Sequence, residues 1–265
     1  SAAGAPMGTN SAALVAGGPG PLNYQYTMYC EEFNGTSWTE QNNLNNGRSS
    51  IGTCGTAAAA VYNGGHNLTP GSGLKITELW NGTSFTAGNA SNDIHKNCGG
   101  GGTQAAGIIA GGPGNVNELF DGTNWSTANN TGSPTPASCM NGTQAEAFLA
   151  GGSPYIKTAF AYDGTSWAAV TDMGTDRENA FMLGGDPNTN VVVATGMDAP
   201  GSYTQATEIW NGTSWSTGGN TINGRDNGGC WGTGTAGGFA GGGPGNNAQS
   251  EHWATGFAVQ TLTTD

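Results

Sequence analysis

Positive charge is scarce in this sequence: six Lys and Arg face 18 Asp and Glu over 265 residues, a formal net charge of −12. A chain so poor in cations cannot neutralise a phosphate backbone, and an anionic membrane surface repels it. Nucleic acid is therefore not expected as a partner. Long apolar runs are missing too. No stretch of 18 apolar residues occurs, so insertion into a membrane by a helix is not expected. The opening residues, Ser1-Ala2-Ala3-Gly4-Ala5-Pro6, have neither the basic region nor the apolar core of a signal peptide, and export would have to use another route or an earlier processing step. Histidine is limited to His66, His95 and His252, far apart in the chain, and no Cys-x-x-Cys spacing is present. No zinc site, other metal or cofactor is expected. The cysteines number five, an odd count. Cys54, Cys98, Cys139 and Cys230 each lie one to four residues before a recurring Gly-containing turn and read as four copies of one buried slot, not as bonded pairs. A 3.6-residue apolar period is also absent over any 11 residues, so essentially no helix is expected.

What is present is a repeat. Twelve of the aromatic residues fall on one pattern: an aromatic, Asn or Asp, then Gly-Thr, then Ser or Asn, then Trp or Phe. It starts at Phe33, Trp80, Phe120, Tyr162 and Trp210, and a worn sixth copy runs from Trp253 to Phe257. The spacing is 40 to 48 residues, which indicates one closed array. Gly and Pro together reach 60 residues, but at fixed offsets, as turn residues. A second anchor in each repeat is a small and aliphatic run, such as Ala57 to Gly65 or Ala105 to Gly112, ending in a Gly pair. Each unit then reads as four antiparallel strands: A from about Arg48 to Cys54, B ending at Gly64-Gly65, C ending at Trp80, and D through Phe85. Asn-Gly between C and D predicts a type I′ hairpin, because both central residues of that turn need positive φ. The glycine runs 99–102 and 241–243 read as turn punctuation. Six such units predict an all-β, six-bladed β-propeller of four-stranded antiparallel blades, one domain over residues 1–265. The blades run approximately over 1–41, 42–88, 89–128, 129–170, 171–218 and 219–265. The aromatics Trp38, Phe85, Trp125, Trp167, Trp215 and Phe257 on strand D are expected to pack between blades.

Two charged columns vary together. Glu78, Glu208 and Glu251 on strand C share their blades with Arg48, Arg177 and Arg225 ahead of strand A; Glu118 has His95-Lys96, and the blade carrying Phe160 has only Thr135. Buried charge needs a partner, so an intrablade ion pair that fixes register is expected. The same register places Ser1 in the Arg column and the chain's end on strand D, so that no strand is exchanged at closure. In such a meander the A–B and C–D turns share one face and are nearly invariant, whereas the B–C and D–A loops share the other and vary. Binding residues collect on loops held by a rigid scaffold. The candidate recognition residues are Tyr24, Tyr26, Tyr155 and Tyr203, read either as exposed rings able to stack on sugars or as cover for loop backbone or subunit packing, with His66 and Lys157 beside them.

The diglycine closing strand B, the aromatic-Asn/Asp-Gly at the end of strand C, the Trp of strand D and the Arg before strand A resemble kelch repeats over nearly the whole chain. The wording Thr-Glu-Leu-Trp-Asn-Gly-Thr-Ser at 77–84, and Gly-Thr-Gln-Ala at 102–105 and 142–145, is similar to kelch-like repeat proteins among the structural proteins of marine bacteriophages. That resemblance implies a non-catalytic structural and recognition propeller on a virion surface, on a tail appendage or the capsid, used for attachment or assembly. Its partners would be other virion proteins or a cell-surface glycan, within a larger assembly. The alternatives are a secreted microbial carbohydrate-binding lectin, which would be extracellular, and a sialidase-like glycosidase. The last would use the three arginines to clamp an acidic sugar, and it would also need a Tyr-Glu nucleophile pair. The 120–125 and 162–167 turns resemble sialidase Asp-boxes, which are structural.

Overall fold

The computed structural model describes residues 5–9, 11–20, 26–67, 73–133, 135–184, 189–244, 250–254 and 260–262. Among them there is no helix, and the strands form six four-stranded antiparallel sheets, five of them built from consecutive strands. The first blade is Ala5–Thr9, Ala12–Ala16, Cys30–Phe33 and Trp38–Gln41; the second is Gly52–Thr56, Ala59–Asn63, Thr77–Trp80 and Phe85–Gly88. The third comprises Cys98–Thr103, Ala106–Gly111, Asn117–Phe120 and Trp125–Ala128, and the fourth Cys139–Gly142, Ala147–Ala150, Ala159–Tyr162 and Trp167–Val170. The fifth holds Phe181–Gly184, Val191–Ala194, Thr207–Trp210 and Trp215–Thr217, with an added hairpin, Met197–Ala199 and Ser202–Tyr203, between its strands B and C. The sixth is Gly229–Gly232, Ala236–Ala240, Ser250–Ala254 and Gln260–Leu262. Among the described residues no strand is exchanged between the first and last sheets. Ser1 and Phe257 lie outside the described residues.

Apolar side chains gather at the seams between blades. One cluster joins Leu14 and Cys30 of the first blade to Tyr62, Trp80 and Phe85 of the second; another joins Val61 to Phe120 and Trp125. Further clusters put Ile108 against Leu149 and Tyr162, Phe148 against Trp210, and Phe181 and Leu183 against Phe239 and Trp253. In the first five repeats the strand C and strand D rings touch, for instance Phe120–Trp125 at 4.8 Å and Trp210–Trp215 at 5.4 Å between centroids. Such rings bury about 150–250 Å² each, which makes the seams the main source of cohesion. The closing seam differs. Trp38, 38% exposed, meets Trp231 of the sixth blade edge-on at 6.4 Å, whereas Trp125 at the corresponding place is 7% exposed. Amide side chains add polar ties: Gln104 donates to the carbonyls of Ala60 (2.9 Å) and Trp80 (2.7 Å) of the preceding blade, and Gln144 does the same to Gly107 (2.8 Å) and Phe120 (2.9 Å).

Three expectations need correction. The C–D connection is not a two-residue type I′ turn: Phe33 pairs with Trp38, which leaves four loop residues, and only the Gly has positive φ, as at Gly35 (93°) and Gly82 (89°). The Asn or Asp acts instead through its side chain, whose Oδ1 accepts two backbone N–H groups, at 3.0 Å from both Thr36 and Ser37 for Asn34. The same two bonds hold the Asp121 and Asp163 carboxyls below the usual carboxylate range. Next, Gly99–Gly102 are not a turn but strand A of the third blade. Near the axis the innermost strands meet backbone to backbone. A Cβ on Gly100 would overlap the Thr53 carbonyl oxygen, and one on Gly101 would lie 2.5 Å from that of Gly142. Last, the cysteines are not one slot. Cys54, Cys98, Cys139 and Cys230 sit on strand A, but against strand B Cys139 is level with the residue before the Gly pair (Ala150), Cys98 with the first Gly (Gly111), Cys230 one step and Cys54 two steps further in. All five thiols are free, and burial pushes those of Cys30, Cys54 and Cys139 up to about 12.

Candidate functional site

The charged columns meet in the interior. Arg48, Arg177 and Arg225 are fully buried, and each is ion-paired within its own blade, Arg48 to Glu78, Arg177 to Glu208 (2.6 Å) and Arg225 to Glu251. In the third blade His95 Nε2 takes the arginine's place at 2.7 Å from Glu118. Each carboxylate also accepts two backbone N–H groups from the loop that enters its blade: Asn45 and Asn46 on Glu78, Asn92 and Asp93 on Glu118, Gly174 and Thr175 on Glu208, Ile222 and Asn223 on Glu251. The guanidinium groups also donate to carbonyls, Arg48 to Tyr62 (3.1 Å) and Arg177 to Thr195 (3.1 Å) and Ala206 (3.0 Å), while the Nε atoms of both are buried without a hydrogen-bond partner. Every pair thus clamps an interblade linker, and its charges are engaged before any ligand arrives. The fourth blade, with Thr135 and Phe160 in the two columns, holds its linker through Asn115, whose carboxamide in its hydrogen-bonding orientation meets Thr131 and Ser133.

The His95–Glu118 pair differs from the other three in having an imidazole as its cation. Burial, the largest influence, pushes the imidazole down, but hydrogen bonds to Cys98 and Glu118 outweigh it and raise the pKa to about 9 from 6.5. Glu118 is also penalised by burial, yet His95 and the Asn92 and Asp93 amides bring it below its ordinary value. A raised histidine stabilises fully below its unfolded pKa and loses that contribution as pH climbs through its folded one; a depressed carboxylate stabilises above its unfolded pKa. The pair therefore supports the fold most between about pH 4.5 and 6.5. Above that window its contribution declines, and the histidine's share is lost as pH climbs through the folded value of about 9. Thermal melts should show this decline, and His95→Arg, which installs the residue of three other blades, should flatten it.

The expected recognition residues are placed less favourably. Tyr24 lies outside the described residues. Tyr26, Tyr155 and Tyr203 are half-buried, not exposed. Tyr26 lies edge-on to His66 with centroids 5.0 Å apart and bridges Pro19; Tyr203 belongs to the added hairpin, and its carbonyl packs so closely on Gly224 that no Cβ would fit there. His66 is itself half-buried, 3.3 Å from the Ser49 hydroxyl, and its pKa is lowered by burial and by Lys96. Lys157 is exposed. These residues share the face of the B–C and D–A loops but are spread over several blades, Tyr155 and Lys157 together on the fourth, and only Tyr26 and His66 touch among the described contacts.

At the centre of the ring the inner strands enclose an axial cavity of about 360 Å³. Its lining includes one residue from each of five blades that the expected site missed: Ser50, Asn97, Ala137, Asn179 and Asn227. All five have left-handed backbones, with φ between 50° and 59°. Their amides link blade to blade around the axis: Asn97 N–H donates to Ser50 O (3.2 Å), Ala137 to Asn97 (2.8 Å), Asn179 to Ala137 (2.8 Å) and Asn227 to Asn179 (3.4 Å). The signal was present, since Asn stands two residues after His95, Arg177 and Arg225, and Asn tolerates this conformation better than most residues. Ala137 tolerates it poorly. Ala137→Gly should stabilise the chain by about 1 kcal/mol, read as a melting temperature higher by about 2–4 °C.

No family model matches the chain, and no curated protein does. A solved structure, described as the structure of YjhT, is similar over 99% of this chain and 98% of that one, with a TM-score of 0.79 and 12% identity. At that identity the likeness establishes the fold, a six-bladed propeller, and nothing about ligands. Among the described residues no group of three or more His, Cys, Asp or Glu is arranged to hold a metal.

Proposed function

We propose that the chain is a non-catalytic scaffold and recognition propeller displayed on a virion surface, on a tail appendage or the capsid, where it serves attachment or assembly. The observation that carries the non-catalytic reading is the state of its buried carboxylates and arginines. Glu78, Glu118, Glu208 and Glu251 are buried, each held by a cation and two backbone N–H groups, so none is placed to exchange a proton with a substrate. The arginines that a sialidase-like site would need are fully buried in the same pairs. Recognition is supported by rigid blades bearing variable loops on one face, and the virion setting by the repeat wording similar to phage structural proteins.

Purified protein tests this. It should release no sugar from a fluorogenic sialoside, and on a glycan array it should bind through a single site per chain or none. Turnover would contradict the non-catalytic reading, and one sugar bound equally at several blades would favour the secreted lectin. Capsid and tail genes flanking the coding sequence would support the virion setting, and their absence would count against it.

A further inference from the structure

The axial cavity has the size and chemistry of a small-ligand site. Its volume of about 360 Å³ lies in the lower part of the range for small-molecule pockets. No lining residue is charged. The polar groups at one end are the carboxamides of Asn97, Asn179 and Asn227 and the Ser50 hydroxyl, carried on backbones that hydrogen bonds lock around the axis. Non-glycine residues held at positive φ store strain, and such strain collects at binding sites. The Asn97 and Asn179 carboxamides make no hydrogen bond within the described protein, and the Asn227 amide is steered by the Asp226 carboxylate at 2.7 Å, which leaves its oxygen to accept. Deeper in, Ile51, Phe181 and Met182 add apolar surface.

We propose that the axial ring of Asn97, Asn179 and Asn227 binds one neutral sugar unit, a hexose or N-acetylhexosamine. A carboxamide both donates and accepts, as do the hydroxyls of a pyranose, so three of them set around a mouth match a ring of hydroxyl groups. An acidic sugar is disfavoured because the arginines are buried in their own pairs. The inference rests on the recognition reading and moves its centre from the outer loops to the axis.

The ring can be emptied without disturbing the backbone, because glycine adopts the left-handed conformation freely. The experiment titrates the purified chain with the methyl glycosides of glucose and galactose, N-acetylglucosamine and sialic acid up to about 10 mM, so that millimolar affinities are covered, following saturation-transfer NMR. The variants are Asn97→Gly/Asn179→Gly and, on the outer loops, Tyr155→Ala. A neutral sugar should bind at one site per chain and weaken about tenfold or more in the double glycine variant, as expected when about 1.4 kcal/mol of contacts is lost, with Tyr155→Ala unchanged and both variants melting like the parent. Binding that survives the double glycine variant but falls with Tyr155→Ala overturns the axial site and leaves recognition by the loops intact. A preference for sialic acid overturns the neutral-ligand class. Absence of binding by every probe overturns the axial proposal, and if a full glycan array is also blank, glycan recognition falls with it.

Discussion

Arg177→Ala should cost about 3–5 kcal/mol of folding stability, the usual penalty for removing one member of a buried ion pair. The loss strands the Glu208 carboxylate, 6% exposed, and frees the Thr195 and Ala206 carbonyls from their donor. Denaturant unfolding measures it. Arg177→Thr/Glu208→Phe copies the fourth blade, where Thr135 and Phe160 occupy the same columns within an intact four-stranded sheet. That double variant should lose less than Arg177→Ala alone, despite two changes in place of one. The remaining cost is that of the Gly174 and Thr175 amides, which Glu208 otherwise accepts. If the double variant falls as far as the sum of its single changes, the two residues act independently and the clamp does not exist.

Gly100→Val should be as damaging for a different reason, with a loss of about 3 kcal/mol or more from overpacking. Gly100 lies in the innermost strand of the third blade, where a Cβ would overlap the Thr53 carbonyl of the second. A backbone oxygen cannot swing aside as a side chain does, so the two blades must separate and thin the seam that Val61, Phe120 and Trp125 fill. Gly132→Val is the control: it has room for a Cβ but positive φ (83°), so its cost reports backbone strain alone. Gly100 is not at positive φ, so its loss comes from crowding, and a negligible loss there would show that the axis has room for a side chain.

The blade count and the seams were legible because the aromatic pairs recur at every C–D connection, and a ring that must be buried leaves a visible mark in composition. The Arg and Glu columns were legible because they vary together: where Glu118 stays, His95 still supplies a proton-bearing partner, and where Phe160 replaces Glu, Thr135 replaces Arg. The turn chemistry was less so. Asn-Gly fits a type I′ turn as well as the observed four-residue loop, and only the pairing of Phe33 with Trp38 distinguishes them. Gly99–Gly102 were obscured by their composition, since glycine reports equally a turn and a strand whose neighbours come too close for a Cβ. The tyrosines were read as exposed because loops are usually solvated, yet the added hairpin and the Tyr26–His66 contact cover part of their surface. The axial ring escaped because its residues converge only after six blades close.

The joining of blades two to six at the axis is tested most directly at the amides of Asn97, Ala137, Asn179 and Asn227, each of which donates to a carbonyl of the preceding blade. Residue-resolved hydrogen exchange by NMR should find all four protected to nearly the free energy of global unfolding, because none can open without parting two blades. Rapid exchange at these positions, with the strand B amides still protected, would mean that the blades fold but do not join at the axis.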